Sequence, residues 1–165
     1  MRALLFIFIT VLLVSCSTMK NGIKKNNKTT EKLVASLFEE KGNVFYLTST
    51  YATFSRVWTY DKEKVEIYRL ADGKIYEQRV HKKNSEILSQ VPTFKELHLD
   101  LKECGYELDG DGLGFKIKTN NQTIEEDLPI EINCLKKGKY KSDFLNALVD
   151  DINTHQLWDI EPKTD

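Results

Sequence analysis

The sequence predicts an α+β domain, an antiparallel sheet of about five to seven strands with an N-terminal and a C-terminal helix packed on it. Two observations carry most of that reading. Segments rich in β-branched and aromatic residues occupy 44–60, 64–70, 74–81 and 113–119, with Asp72-Gly73 and Asn120-Asn121 placed between strand candidates as turns. Apolar stripes at helical spacing frame them, Leu33, Val34, Leu37 and Phe38 on one side and Phe144, Leu145, Leu148, Val149 and Ile152 on the other.

In chain order, Thr30-Glu31 supplies a capping hydroxyl and a first-turn acid, and Gly42 a stop, so a helix is expected over 31–41. The segment 44–60 is too long for one ordinary strand and is expected to bend near 52–55. With Asp72-Gly73 as a two-residue turn, Val65 would face Val80 and Arg69 would face Tyr76. That register gathers Val65, Ile67, Ala71, Tyr76 and Val80 on one face. Residues 84–91 read as a short helical turn ending before Pro92. Residues 96–102 alternate as a half-buried strand, against a competing capping box at Thr93–Glu96. Strands are expected at 113–119 and 124–134, the second broken by Pro129, then a helix capped by Ser142, then an apolar tail of Leu157, Trp158 and Ile160.

The amino terminus has a different character. Arg2 precedes an apolar run from Ala3 to Val14 broken only by Thr10, well short of the about 20 residues a membrane-spanning helix needs. This is the pattern of a secretory signal. The run ends in Leu13-Val14-Ser15-Cys16, which resembles the lipobox of bacterial lipoproteins. The resemblance implies a signal peptide over 1–15, cleavage before Cys16, and diacylglycerol on the Cys16 thiol with acylation of the new amino group. Two or more acyl chains anchor stably where one does not. Ser17 after the cysteine implies the outer membrane, facing the periplasm. Residues 16–30, polar, lysine-rich and without an acid, are expected to form a lipidated flexible tether, leaving 31–165 as one domain.

The chain of 165 residues carries 24 basic and 25 acidic side chains, a net charge of −1. That balance lacks the basic excess of nucleic-acid-binding domains. The other two cysteines, Cys104 and Cys134, form an even pair that an oxidising compartment favours as a disulfide.

Motifs for chemistry are sparse. Asp109-Gly110-Asp111-Gly112-Leu113-Gly114 lacks the fifth-position oxygen and twelfth-position Glu of a calcium loop and reads as a turn. His81, His98 and His155 have no ligand spacing, and no G-x-S-x-G elbow occurs. The acids Glu125-Glu126-Asp127 and Asp150-Asp151 read as solvated. No metal and no cofactor beyond the lipid is expected. The aromatics Tyr46, Tyr51, Trp58 and Tyr60 are candidates for an exposed face that grips a protein or glycan, with core packing as the competing use. The expectation is a non-enzymatic, lipid-anchored envelope protein with a binding or accessory domain. Its partner would be an envelope protein or glycan. The alternative is an inhibitor or immunity protein that blocks a toxin or lytic hydrolase.

Overall fold

The computed structural model describes residues 2–49, 53–82, 86–90, 104, 111–120, 122–130, 134–135 and 140–157, with side chains from residue 20 onward. Helix α1 (Arg2–Lys41) leads into strands β1 (Asn43–Ser49), β2 (Phe54–Tyr60), β3 (Lys64–Ala71) and β4 (Lys74–Lys82). A 3-10 turn follows at Ile87–Gln90, then β5 (Asp111–Lys118), β6 (Thr123–Pro129) and helix α2 (Asp143–Thr154). The strands form one antiparallel sheet in the order β4-β3-β2-β1-β5-β6, with α1 on one face and α2 on the other. The α+β class and its two helices are therefore as the sequence predicts.

Side chains alternate across a strand, so pairing decides which ones share a face. Phe45 faces Trp58 on one side and Phe115 on the other. These rings meet Phe144 of α2, with Phe115 and Phe144 5.6 Å apart between centroids. Around them Leu47, Val65, Ile67, Leu113, Leu148 and Ile152 complete the main core. Ser142 caps α2 by accepting a hydrogen bond from the Leu145 amide at 3.3 Å, and Leu157 is fully buried beyond it. Cys104 and Cys134 are disulfide-bonded, with Cα atoms 5.4 Å apart. Among the described residues no helix is long and apolar enough to cross a membrane.

On the other face, Val34 and Leu37 of α1 pack on Val44, Val57, Tyr68 and Leu70. Here the helix begins far earlier than the Thr30 cap implies, and residues 20–30 are helical rather than a flexible tether. The reason lies in tertiary contacts. Asn26 and Thr30 are buried, and both hydrogen-bond the Ser55 hydroxyl, at 3.3 and 2.7 Å. The Thr30 hydroxyl bonds the carbonyl of Asn26 in the preceding turn and caps nothing. Asn26 also accepts from the Gly73 amide, and Thr29 donates to the Gly73 carbonyl, so the β3–β4 turn is tied to the helix.

That turn is the expected two-residue one: Asp72 and Gly73 both have positive φ, and Ala71 faces Lys74. A bulge beside Arg69 and Leu70 then shifts the ladder by one residue. Val65 consequently faces His81, not Val80, and Arg69 faces Glu77, not Tyr76. The apolar face proposed for β4 does not form, and Tyr76 and Val80 stay exposed. Two further expectations change. Strand β6 ends at the expected Pro129 break but does not resume to Cys134, which is helical with Leu135, and the Asp-Gly run expected as a turn enters strand β5 at Asp111. The candidate strand at 96–102, with His98, lies outside the described residues, as do Trp158 and Ile160.

Candidate functional site

Helix α1 crosses β1, β2 and β3, and beside it the β1–β5–β6 side of the same face forms an open groove of about 460 Å³. Tyr46 and Thr48 of β1, Lys116 of β5, and Glu125 and Asp127 of β6 line its sheet side, and two glycines of β5 set how Tyr46, Thr48 and Asp127 lie. Gly112 and Gly114 alternate on β5, so their missing side chains lie on one face. A Cβ on Gly114 would overlap the Tyr46 ring, which lies across β5 in the space glycine leaves. A Cβ on Gly112 would stand 3.1 Å from the Thr48 hydroxyl and 3.5 Å from the Asp127 carboxylate, so these two polar groups converge above it.

Register aligns the walls. Tyr46, Gly114 and Asp127 form one row across three strands, and Val44, Lys116 and Glu125 form the next. Lys116 is ion-paired with Glu125. Glu31 lines the helical side. Three carboxylates thus face one ammonium, and the groove favours positive charge. Partial burial lifts the Asp127 carboxyl above the ordinary carboxylate range, with Glu125 adding to the shift. Burial, then the charges of Asp127 and Glu125, pushes the Tyr46 phenol up to about 12, so it remains a neutral donor at physiological pH. The site offers a flat ring, a hydroxyl and unneutralised carboxylates within one shallow trough.

The structure divides the predicted aromatic set. Tyr46 lines the groove, but Trp58 and Tyr60 are 0% and 1% exposed on the opposite face. The register that pairs Trp58 with Phe45 sends it into the main core, away from Tyr46. There the Trp58 indole N–H donates to the Tyr60 hydroxyl at 3.1 Å. Burial, followed by the charge of Asp151, drives the Tyr60 pKa well above its ordinary value. Neither ring can serve as an exposed binding aromatic. Tyr51 lies outside the described residues. Cys16 lies within the described backbone of α1, six positions before Gly22, where the helix meets Thr53 and Asp72 of the sheet.

Sequence reasoning missed the groove's acids because Glu125-Glu126-Asp127 reads as one solvated cluster. The strand separates them, with Glu126 buried on one face and Glu125 and Asp127 on the other. The available signal was glycine at alternate positions of a strand, which lets a neighbouring strand's ring and polar groups lie across it. No group of three or more His, Cys, Asp or Glu side chains is arranged to hold a metal among the described residues. No protein family, curated protein or solved structure matches this chain significantly.

Proposed function

We propose that this chain is a lipid-anchored bacterial envelope protein, attached through Cys16. Its domain acts by binding, through the groove of Tyr46, Thr48, Glu125 and Asp127, an envelope protein or glycan that presents a positively charged group beside a flat ring or sugar face. The observation that carries the reading is the trough itself, walled by Tyr46, Thr48, Glu125 and Asp127. Glycine at 114 lets the Tyr46 ring lie across β5, and glycine at 112 lets the Thr48 hydroxyl and the Asp127 carboxylate converge beside it. Carboxylates steer and orient a cationic partner, while the tyrosine ring supplies contact area at small entropic cost. Helix α1 relates the groove to the lipid. Asn27, the first groove residue on the helix, follows Cys16 by eleven positions, about 16 Å at 1.5 Å per residue. The partner is accordingly one held close to the membrane surface.

The test has two parts. Cys16→Ala is expected to abolish lipid labelling and release the protein from the membrane fraction. A protein that stays membrane-bound and normally processed removes the anchor. Independently, Glu125→Gln with Asp127→Asn is expected to weaken capture of the envelope partner at least tenfold with unchanged folding, and undiminished capture removes the groove.

A further inference from the structure

A second cavity, of about 240 Å³, lies on the opposite side of the sheet. It opens between β3, β4 and the C-terminal end of α2, and is lined by Ile67, Arg69, Arg79, His81, His155 and Gln156. The bulge in β3–β4 creates it. By shifting the ladder one residue, the bulge sets Arg79 opposite Ile67 and His81 opposite Val65. At the end of α2, Gln156 adopts φ +54°. The Gln156 amide bonds the Asn153 carbonyl, and the Leu157 amide bonds that of Ile152. This Schellman motif satisfies carbonyls that would otherwise repel an anion. It also brings the His155 ring to 5.1 Å from that of His81, between centroids.

The charge balance of this cavity identifies its ligand. Arg69 and Arg79 both pair through Nε with one carboxylate, Glu77. Two guanidiniums share that carboxylate, so with Asp151 beside His155 the fixed charges balance, and each protonated ring tips the cavity toward an anion that the guanidinium N–H groups can meet. The His155 Nε2 is buried without a hydrogen bond among the described residues. A buried polar atom left this way is a hydrogen bond unmade, and a ligand in the cavity would supply it. A metal ion would meet two guanidiniums beside a two-histidine site, whereas an oxyanion meets donors from four side chains.

We propose that this cavity binds a phosphate group, free or at the end of a phosphoester, through Arg69, Arg79, His81 and His155. The site is independent of the groove on the α1 face. Binding is coupled to pH because the bound anion favours protonated rings, and the groups that set the balance are Asp151 on α2, Arg69 on β3, and Glu77, Arg79 and His81 on β4. Burial holds the His155 pKa below its usual value, Asp151 opposes this, and His81 reinforces it. An anion placed between the rings reverses the effect of His81.

The experiment titrates the full chain in detergent with inorganic phosphate and, separately, with glycerol 3-phosphate. The readout is the imidazole resonances of His81 and His155, followed at about pH 6 and about pH 8. Saturable shifts of both rings are expected, and the affinity for the phosphate dianion, corrected for the titration of phosphate itself, is expected to be roughly fivefold higher at the lower pH if binding raises one ring pKa by about one unit. The tighter of the two probes names the source of the phosphate. Arg79→Gln, at a side chain 59% exposed, is expected to cut the affinity at least tenfold without unfolding the protein. His155→Gln is expected to flatten the pH dependence. Shifts reproduced by chloride at equal ionic strength, unchanged in Arg79→Gln, or absent altogether would overturn the proposal. So would tighter binding of zinc than of phosphate to the same two rings.

Discussion

The two faces of the sheet are built on opposite terms. Under α2, Phe45, Trp58, Phe115 and Phe144 interlock, the cavity at the helix's far end lies apart from these rings, and Trp58, Tyr60 and Asp151 form a buried polar chain through that core. Under α1, the apolar contact is smaller and is supplemented by hydrogen bonds from Asn26 and Thr30 to Ser55. Its β5–β6 side is left open between Tyr46, Thr48, Lys116, Glu125 and Asp127. One face supplies stability, and the other trades packing for a surface. A protein with a single well-filled face can afford that arrangement because burying large aromatics stabilises by several kcal/mol per ring.

The sharpest way to break this comparison is to cut the filled face. Trp58→Ala is expected to cost about 3–5 kcal/mol in chemical denaturation. Tyr46→Ala on the open face should cost about 1–2 kcal/mol, while removing partner capture. Equal losses would mean that the faces are not specialised. Next in size is the Cys104–Cys134 bridge, whose separation of 30 residues predicts a loss of about 3.5 kcal/mol for Cys104→Ser with Cys134→Ser, read from the same denaturation curves.

Ser55→Ala probes how α1 is held. It strips the shared partner from Asn26 and Thr30 and is expected to cost about 1–3 kcal/mol. Hydrogen exchange should quicken over residues 20–30 and stay slow in α2. Uniform acceleration would show that the two faces unfold together. The smallest effect is at His155. Because its folded pKa is depressed below the ordinary 6.5, the unfolded chain binds the proton more tightly. Its contribution to stability is therefore complete above about pH 6.5 and declines as the pH falls through the folded value. In phosphate-free buffer, His155→Gln should reduce the acid-side decline between about pH 7 and about pH 5.

How much of this was legible depended on the range of the interaction that decides each feature. The Asp72-Gly73 turn, the Ser142 cap and the apolar stripe of α2 are set by neighbours within a few residues, and all three occur where local chemistry puts them. The start of α1 was not legible, because Asn26 and Thr30 read as tether residues until Ser55, from a distant strand, meets them. The separation of Tyr46 from Trp58 and Tyr60 was hidden for a related reason. Strand alternation groups residues within one strand, but only pairing reveals which face of the next strand joins them. The β3–β4 bulge likewise has no marker near Arg69, yet it relocates every side chain of β4 beyond it and brings His81 to His155. Neither half of that histidine pair could be matched from spacing alone.

Site-specific photo-crosslinking tests most directly whether the open groove is the working surface. A photoreactive residue replacing Thr48, in the anchored protein within living cells, should give one discrete membrane-proximal adduct. That adduct should disappear in an Asp127→Lys background while one placed at Tyr76, an exposed position on β4, gives none. An adduct at Tyr76 but not at Thr48, or one at Thr48 indifferent to the charge at 127, would contradict it.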